Sequence, residues 1–320
     1  MNSRPRSGER SYTGERSYAL RDSHKTKPMR FKALLLLLLL TATVHAQRTR
    51  YVKNLDYGGK GNKRQFLDLH FPPGAGKPHL VVWIHGGAWR VGDKKQCPIL
   101  WMTRQNLVVA SINYRYSQQA RYPAQIHDCK AAIRYLRGNA EKYGYRTERI
   151  GVAGSSAGGH LAALLGTTGG VKKLEGKVGK HLKQSSRVQA VIDLFGPTDF
   201  LQMDKHAVAG SLIIHDRPRS PESRLIGGPI QKNKKKVAQA NPITFVDKSD
   251  APFYIVHGGN DRLVPSHQSV LLEKALKKAG VKVQLTIFQG AGHGGPQFHS
   301  RGQKQVMLRF FRKHLQGVVD

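Results

Sequence analysis

Residues 149–165 read RIGVAGSSAGGHLAALL, which predicts a short strand, a sharp turn at Ser156 and then a helix. Gly154 and Gly158 relieve the crowding of such a turn, because a larger side chain there would collide with the strand or the helix. The turn would lift the Ser156 hydroxyl clear of the sheet and point the Ala157 amide toward an anion beside it. Since Gly and Ser are common turn residues, this motif alone leaves open a tight junction without chemistry.

The chain on both sides of this turn alternates strands with helices. Nearly continuous apolar runs, typical of buried strands, cover 79–85, 107–113, 188–195 and 252–257, and alternating patterns typical of half-buried strands cover 64–71 and 281–288. Apolar residues recur at helical spacing over 122–144, 266–278 and a last segment ending near 316. The alternation predicts an α/β fold, a mostly parallel sheet with helices on both faces. The charged segment 198–240 predicts a small lid.

A glycine-rich turn follows the predicted strand 79–85 and continues into Ala88-Trp89. Glycines directly after a buried strand leave backbone amides uncovered. The amides of Gly87 and Ala88 are therefore candidates, together with that of Ala157, for holding an oxyanion. An ordinary strand exit remains the alternative interpretation of this turn.

Asp261 and His293 each follow a predicted strand, as Ser156 does. In a parallel sheet these strand ends lie on one edge, where ligands bind. The chain order serine, aspartate, histidine is one of the known orders of a nucleophile, an acid and a base in serine hydrolases. Asp199 is a competing acid, since it also follows a strand. We favour Asp261 because its loop joins the strand just before the one that delivers His293, and we expect Asp199 to hold the base of the lid.

The amino-terminal region has the composition of a targeting segment. Residues 1–28 are polar, and 29–46 combine a basic flank, a short apolar run and small residues, which predicts translation from Met29 and a signal peptide cleaved after Ala46. About twelve apolar residues span roughly 18 Å of helix against a hydrocarbon core of about 30 Å, so no stable membrane anchor is expected. We therefore expect a secreted or periplasmic protein in which 47–320 form a single catalytic domain.

The net charge is +33, and removal of the predicted leader leaves 44 Lys and Arg against 17 Asp and Glu, or +27. Such a charge is compatible with nucleic acid or with acidic polymers as partners. The basic residues are scattered, and no helix-turn-helix, zinc or aromatic RNA-binding signature accompanies them. We therefore expect no specific nucleic-acid partner and a weak attraction to anionic polysaccharide or envelope.

The chain has two cysteines, Cys97 and Cys129. In an exported protein they permit one disulfide, and their positions leave open whether they meet. Neither has histidine or acidic neighbours at the spacing of metal ligands, so we expect no metal site.

From Tyr51 to Gln316 the chain resembles the α/β-hydrolase superfamily and, within it, the secreted esterases grouped with bifunctional feruloyl and acetyl xylan esterases (BD-FAE). The matching stretches are His85-Gly86-Gly87-Ala88-Trp89, Ser111-Ile112-Asn113-Tyr114-Arg115, Gly154-Ser155-Ser156-Ala157-Gly158-Gly159-His160, Asp261-x-x-Val264-Pro265 and Gly292-His293-Gly294-Gly295-Pro296. The first and third are shared across many esterases and lipases, and the whole set narrows the match. The resemblance implies an α/β-hydrolase fold and cofactor-free hydrolysis of carboxylic esters on plant or algal polysaccharide.

One departure concerns the turn after His85. Relatives of the hormone-sensitive-lipase type carry three glycines there, whereas this chain has Ala88-Trp89. The departure argues against lipase-like specificity. Trp89 is a candidate for stacking on a sugar or a ferulate ring, and packing against the lid is the alternative.

These observations leave three hypotheses for the function. The leading hypothesis is an exported serine carboxylesterase that removes acetyl or feruloyl groups from acylated polysaccharide or from small esters. The second is a serine peptidase or lactonase on the same fold. The third is a cationic polysaccharide-binding protein with a weak catalytic site.

Overall fold

The structure, a computed structural model, describes residues 50–318. Its strands are β1 Tyr51–Asp56, β2 Phe66–His70, β3 His79–Ile84, β4 Leu107–Ile112, β5 Arg146–Ser155, β6 Ala190–Leu194, β7 Phe253–Gly258 and β8 Val283–Phe288. They form one sheet in the order β1-β2-β4-β3-β5-β6-β7-β8. The pairings β1–β2 and β2–β4 are antiparallel, and every other pairing is parallel. The predicted mostly parallel α/β-hydrolase sheet is therefore confirmed.

Helices cover both faces of this sheet. They are α1 Ala124–Gly138, α2 Ala140–Tyr143, α3 Ala157–Thr167, α4 Pro221–Ile226, α5 Lys234–Ala240, α6 His267–Lys278 and α7 Arg301–Phe311. Side chains alternate between the faces of a strand, so on β3 Leu80 and Val82 join the core beneath α1, α3 and α6, whereas Val81 and Trp83 join the core beneath α7.

Two elements differ from the sequence prediction. β1 was not predicted, because its residues are mostly exposed and carry little apolar periodicity. The helix predicted over 122–144 is divided in two at Asn139, which leaves the helical conformation. The Asn139 side-chain amide donates to the Tyr135 carbonyl at 2.8 Å, the kind of local bond that makes asparagine a poor helix former.

The two cysteines do not pair. Both are free and buried, and they belong to the two cores on opposite faces of the sheet. Cys97 packs with Trp83, whereas Cys129 lies on α1 with Leu80.

The lid predicted over 198–240 contains α4, α5 and several short 3-10 turns. Ser220 begins α4 as its N-cap, with its hydroxyl accepting from the Ser223 amide at 3.0 Å, and Pro221 occupies the first turn. Asp199 lies at the base of the lid, where it accepts from the Leu201 amide at 3.1 Å and the Asn241 side chain at 2.9 Å.

The predicted start at Met29, the signal peptide over 29–46 and its cleavage after Ala46 lie outside the described residues. Between residues 50 and 318, no helix combines the length and the apolar character needed to cross a membrane.

Candidate active site

Ser156 occupies the turn between β5 and α3 with φ 53° and ψ −122°. A residue other than glycine rarely adopts a positive φ, so the backbone of this turn is strained. Backbone segments approach one another very closely at this turn. A Cβ on Gly154 would lie 2.2 Å from the Gly158 carbonyl oxygen, and a Cβ on Gly158 would lie 2.1 Å from the Ile84 carbonyl oxygen. The Ser156 amide donates to the Leu194 carbonyl at 2.8 Å, which ties the turn to the next strand.

The turn after β3 lies against this serine. A Cβ on Gly86 would be 3.3 Å from that of Ser156. Gly87, Ala88 and Trp89 have consecutive positive φ values of 108°, 53° and 55°. Among residues 50–318, neither the Gly87 nor the Ala88 amide donates to another protein group. Both amides are therefore free of protein acceptors, and their role in holding an oxyanion stays a prediction.

Two hydrogen bonds fix the histidine that begins this turn. His85 Nδ1 lies 2.7 Å from the Gly86 carbonyl and Nε2 lies 3.0 Å from an Arg64 nitrogen. Burial lowers the pKa of His85 to about 4. A neutral ring donates from Nδ1 and accepts at Nε2, so His85 braces the loop.

The structure pairs His293 with Asp261 and not with Asp199. His293 Nδ1 lies 2.7 Å from Asp261 Oδ2, and Asp261 Oδ1 accepts from the amides of Leu263 and Val264 at 2.8 and 2.9 Å. Burial alone would raise the pKa of Asp261, but hydrogen bonds from histidine outweigh it and hold the pKa well below its usual range. The acid is therefore ionised and oriented. With Nδ1 occupied, Nε2 of His293 is the ring nitrogen left to exchange a proton.

A second histidine on Asp261 was not predicted. His257, fully buried at the end of β7, has Nε2 3.2 Å from Asp261 Oδ2 and 2.9 Å from the Val264 carbonyl. Its Nδ1 lies 2.6 Å from the Ser269 hydroxyl. Since Nε2 faces two acceptors, it carries the proton, and Nδ1 accepts from Ser269. In the sequence His257 belongs to an apolar run typical of a buried strand, and its only signal is its position four residues before Asp261.

A cavity of about 380 Å³ joins the predicted groups. Its lining includes six of the predicted site residues: Ser156, His293, Gly87, Ala88, Trp89 and Ala157. Asp261 lies behind His293 and does not line the cavity. The lid supplies further walls through Ile213, His215, Pro221 and Glu222. The volume is within the range of small-molecule sites.

Trp89 is buried, with only 2% of its surface exposed. Its indole nitrogen donates to His160 Nδ1 at 3.2 Å, and its ring meets Phe200 of the lid edge-on at 5.5 Å between centroids. His160 Nε2 in turn lies 2.7 Å from the Ala240 carbonyl. The structure thus places Trp89 in lid packing, the alternative to substrate stacking, although the residue also borders the cavity.

A buried ion pair was also not predicted. His215 Nδ1 lies 3.0 Å from Glu222 Oε2 in the lid wall of the cavity. Burial alone would lower the pKa of His215, but Glu222 outweighs it and raises the pKa. The pair is a polar feature of an otherwise largely apolar wall. The surrounding sequence has little periodicity, so nothing in it placed these two residues together.

Within the part of the chain that the structure describes, no group of three or more histidine, cysteine or acidic side chains is placed to hold a metal ion.

Comparison with known proteins places the chain in a family. The family model BD-FAE matches residues 67–276, more than half of the chain. Two esterases of Mycobacterium tuberculosis, LipQ and LipC, are each 30% identical to it, over 74% and 67% of this chain and 55% and 52% of their own lengths. The chain thus spans about half the length of the curated relatives it matches.

Solved structures agree with this placement. A truncated carbohydrate esterase from gut microbiota superposes with a TM-score of 0.76 at 34% identity, covering 84% of this chain and 98% of that one. A bifunctional GH43-CE protein of Bacteroides eggerthii also gives 0.76, at 36% identity, covering 82% of this chain and 35% of its own. The chain belongs to the BD-FAE family of the α/β-hydrolase fold.

Proposed function

We propose that the protein is an exported serine carboxylesterase that removes acetyl or feruloyl groups from polysaccharide. The observation that carries the proposal is that Ser156 and His293 face one cavity while His293 Nδ1 lies 2.7 Å from a buried carboxylate, that of Asp261. This arrangement supports a nucleophile, a base and an orienting acid acting together.

In the proposed mechanism, Ser156 Oγ attacks the ester carbonyl carbon and its proton passes to His293 Nε2. The carbonyl oxygen becomes an oxyanion held by the amides of Gly87, Ala88 and Ala157, a kind of donor each worth about 3 to 4 kcal/mol of barrier. The intermediate collapses as the bond to the sugar oxygen breaks, and that oxygen takes the proton from His293. Water then attacks the acyl group on Ser156, giving a proton to His293, and the carboxylic acid leaves as Ser156 is regenerated.

The substrate class is supported by the solved relative described as a carbohydrate esterase, at 34% identity, and by the bifunctional GH43-CE protein, at 36% identity. The largely apolar cavity suits an acyl group, and the sugar would extend out of it toward solvent. Export rests on the signal peptide predicted over 29–46 and on its proposed cleavage after Ala46.

A short substrate panel tests the proposal: p-nitrophenyl acetate, methyl ferulate, acetylated xylan, a lactone and a peptide amide. We expect ester turnover by the wild type and none by Ser156→Ala, with acetyl release from xylan. Faster turnover of the lactone or the amide would favour those chemistries instead. If the wild type turns over no ester, the proposal fails.

A further inference from the structure

A second cavity, of about 340 Å³, lies beside the active site. It is open to solvent and is bordered by the turn after β3, the loop after β4 and the lid helix α4, and Arg121 and Arg224 in its lining are exposed. Its polar lining consists of Arg90, Ser117, Gln118, Arg121, Ser223 and Arg224, and we call it the arginine cavity.

Three arginines line this cavity, and no acidic residue does. Among residues 50–318, none of the three forms an ion pair. Arg90 Nε is shielded from solvent and has no hydrogen-bond partner in that part of the chain. Arg224 uses only Nε, donating to the Arg219 carbonyl at 2.9 Å. Like charges gathered without a counter-charge repel, and an anion would relieve the repulsion.

Contacts with neighbouring residues order part of the lining of this cavity. A Cβ on Gly227 would lie 2.4 Å from Arg121 Cδ, so the Arg121 stem rests on the glycine backbone at the end of α4. Gln118 donates to the Arg90 carbonyl at 3.1 Å, and the Ser117 amide donates to the Trp89 carbonyl at 2.8 Å. A planar guanidinium held by its stem is suited to a carboxylate or a sulfate, which it can meet with two parallel hydrogen bonds.

The two cavities share two walls. Trp89 and Glu222 line the active-site cavity, and the residues that follow them, Arg90 and Ser223, line the arginine cavity. The two cavities therefore border the same two short segments of chain.

We propose that the arginine cavity binds an anionic substituent, a uronic acid carboxylate or a sulfate ester, on the sugar chain whose acyl group lies at Ser156. The inference rests on the proposed function and makes its substrate an acidic polysaccharide. The net charge of +27 that remains after removal of the predicted leader would add long-range attraction for the same polymer.

The test compares kcat/KM on three substrates: acetylated xylo-oligosaccharides, the same oligosaccharides with a glucuronic acid branch, and the same with a sulfate ester. We expect a preference of about tenfold for at least one charged form, weaker at high salt. The form preferred identifies the anion. In Arg121→Gln/Arg224→Gln the preference should fall about tenfold. Arg90 is left intact because it adjoins the oxyanion turn.

Lys234→Gln/Lys235→Gln is the matched control, because it removes the same charge from exposed lid residues outside both cavities. The control should keep the wild-type preference. An equal loss in both double variants would reduce the effect to general surface charge and overturn the proposal. Equal wild-type rates on charged and neutral oligosaccharides would also overturn it while leaving the esterase function standing.

A binding measurement separates the two proposals completely. Calorimetry with Ser156→Ala and the deacetylated glucuronic acid and sulfated oligosaccharides needs no turnover. We expect binding that weakens about tenfold when Arg121→Gln/Arg224→Gln is added. Failure of wild-type turnover would refute the esterase proposal alone. Failure to bind either charged oligosaccharide would refute the proposal that the arginine cavity binds an anionic substituent.

Discussion

His257 Nε2 lies 3.2 Å from Asp261 Oδ2, the same oxygen that meets His293 at 2.7 Å. One carboxylate oxygen therefore contacts two histidines. His293 lines the cavity, and His257 is fully buried in the core. The inner histidine holds the carboxylate in position and helps to keep its pKa low.

Replacing His257 by Phe should lower kcat about ten- to a hundredfold with little change in KM, because removing a hydrogen-bond partner of a group that orients a catalytic side chain has effects of this size. Asp261 would lose a hydrogen bond that lowers its pKa, so its pKa would rise. Steady-state kinetics on p-nitrophenyl acetate test this, and a rise in KM at constant kcat would contradict it.

Asp261→Asn should reduce kcat by about 10³- to 10⁴-fold, because an amide cannot stabilise the histidinium or hold the required tautomer. Asp199→Asn is the control, since an asparagine oxygen can still accept the two hydrogen bonds at the base of the lid. Steady-state rates on p-nitrophenyl acetate compare the two. A large loss in Asp199→Asn with activity retained in Asp261→Asn would reverse the assignment of the acid.

Gly87→Ala should reduce both stability and activity. Its Cβ would lie 2.2 Å from the Val91 carbonyl, and φ of 108° disfavours any side chain, so the turn that carries the proposed oxyanion amides must move. Gly302→Ala is the matched control, because its Cβ meets nothing within 4 Å and alanine favours the helix α7. Thermal unfolding should show a lower Tm for the first variant and an unchanged or higher Tm for the second.

Asp193 introduces a pH dependence of stability. Its side chain is buried on β6, where Oδ1 accepts from the Gly196 amide at 2.9 Å, and burial raises its pKa to about 7 from 3.8. The folded state then binds a proton more tightly than the unfolded state, so stability falls as the pH rises from about 4 to 7 and levels off above.

Asp193→Asn should remove this fall. The Tm of the variant relative to the wild type should increase across pH 4 to 7, by roughly 3 °C or more, and stay constant at higher pH. Calorimetry over this range provides the measurement. A difference in Tm that does not vary with pH would show that Asp193 keeps the same charge in both states.

Much of the fold was predictable because it depends on local patterns. The buried strands read as apolar runs, and α3 follows directly from the glycine-rich turn at Ser156. β1 escaped prediction because its exposed residues have weak periodicity, and the break at Asn139 depends on one side-chain hydrogen bond. Where burial or backbone sterics restrict which residue a position can hold, the sequence pattern predicts the local structure.

The same distinction separates the site residues that the sequence predicted from those that it did not. Ser156, Asp261 and His293 each follow a strand, and parallel strands bring such ends together. His257 lies inside a strand, where a buried residue reads as core. His215 and Glu222 meet through the packing of the lid, which short-range sequence patterns do not report.

The positive φ at Ser156 sets a limit on how heat-resistant the chain can become while it keeps this nucleophile. A residue with a side chain in that conformation costs of order 1–3 kcal/mol, a cost that glycine escapes. Ser156→Gly should therefore melt at a higher temperature than the wild type while losing the attacking hydroxyl. At this position stability and the proposed chemistry are opposed, because the variant that relieves the strain also lacks the proposed nucleophile.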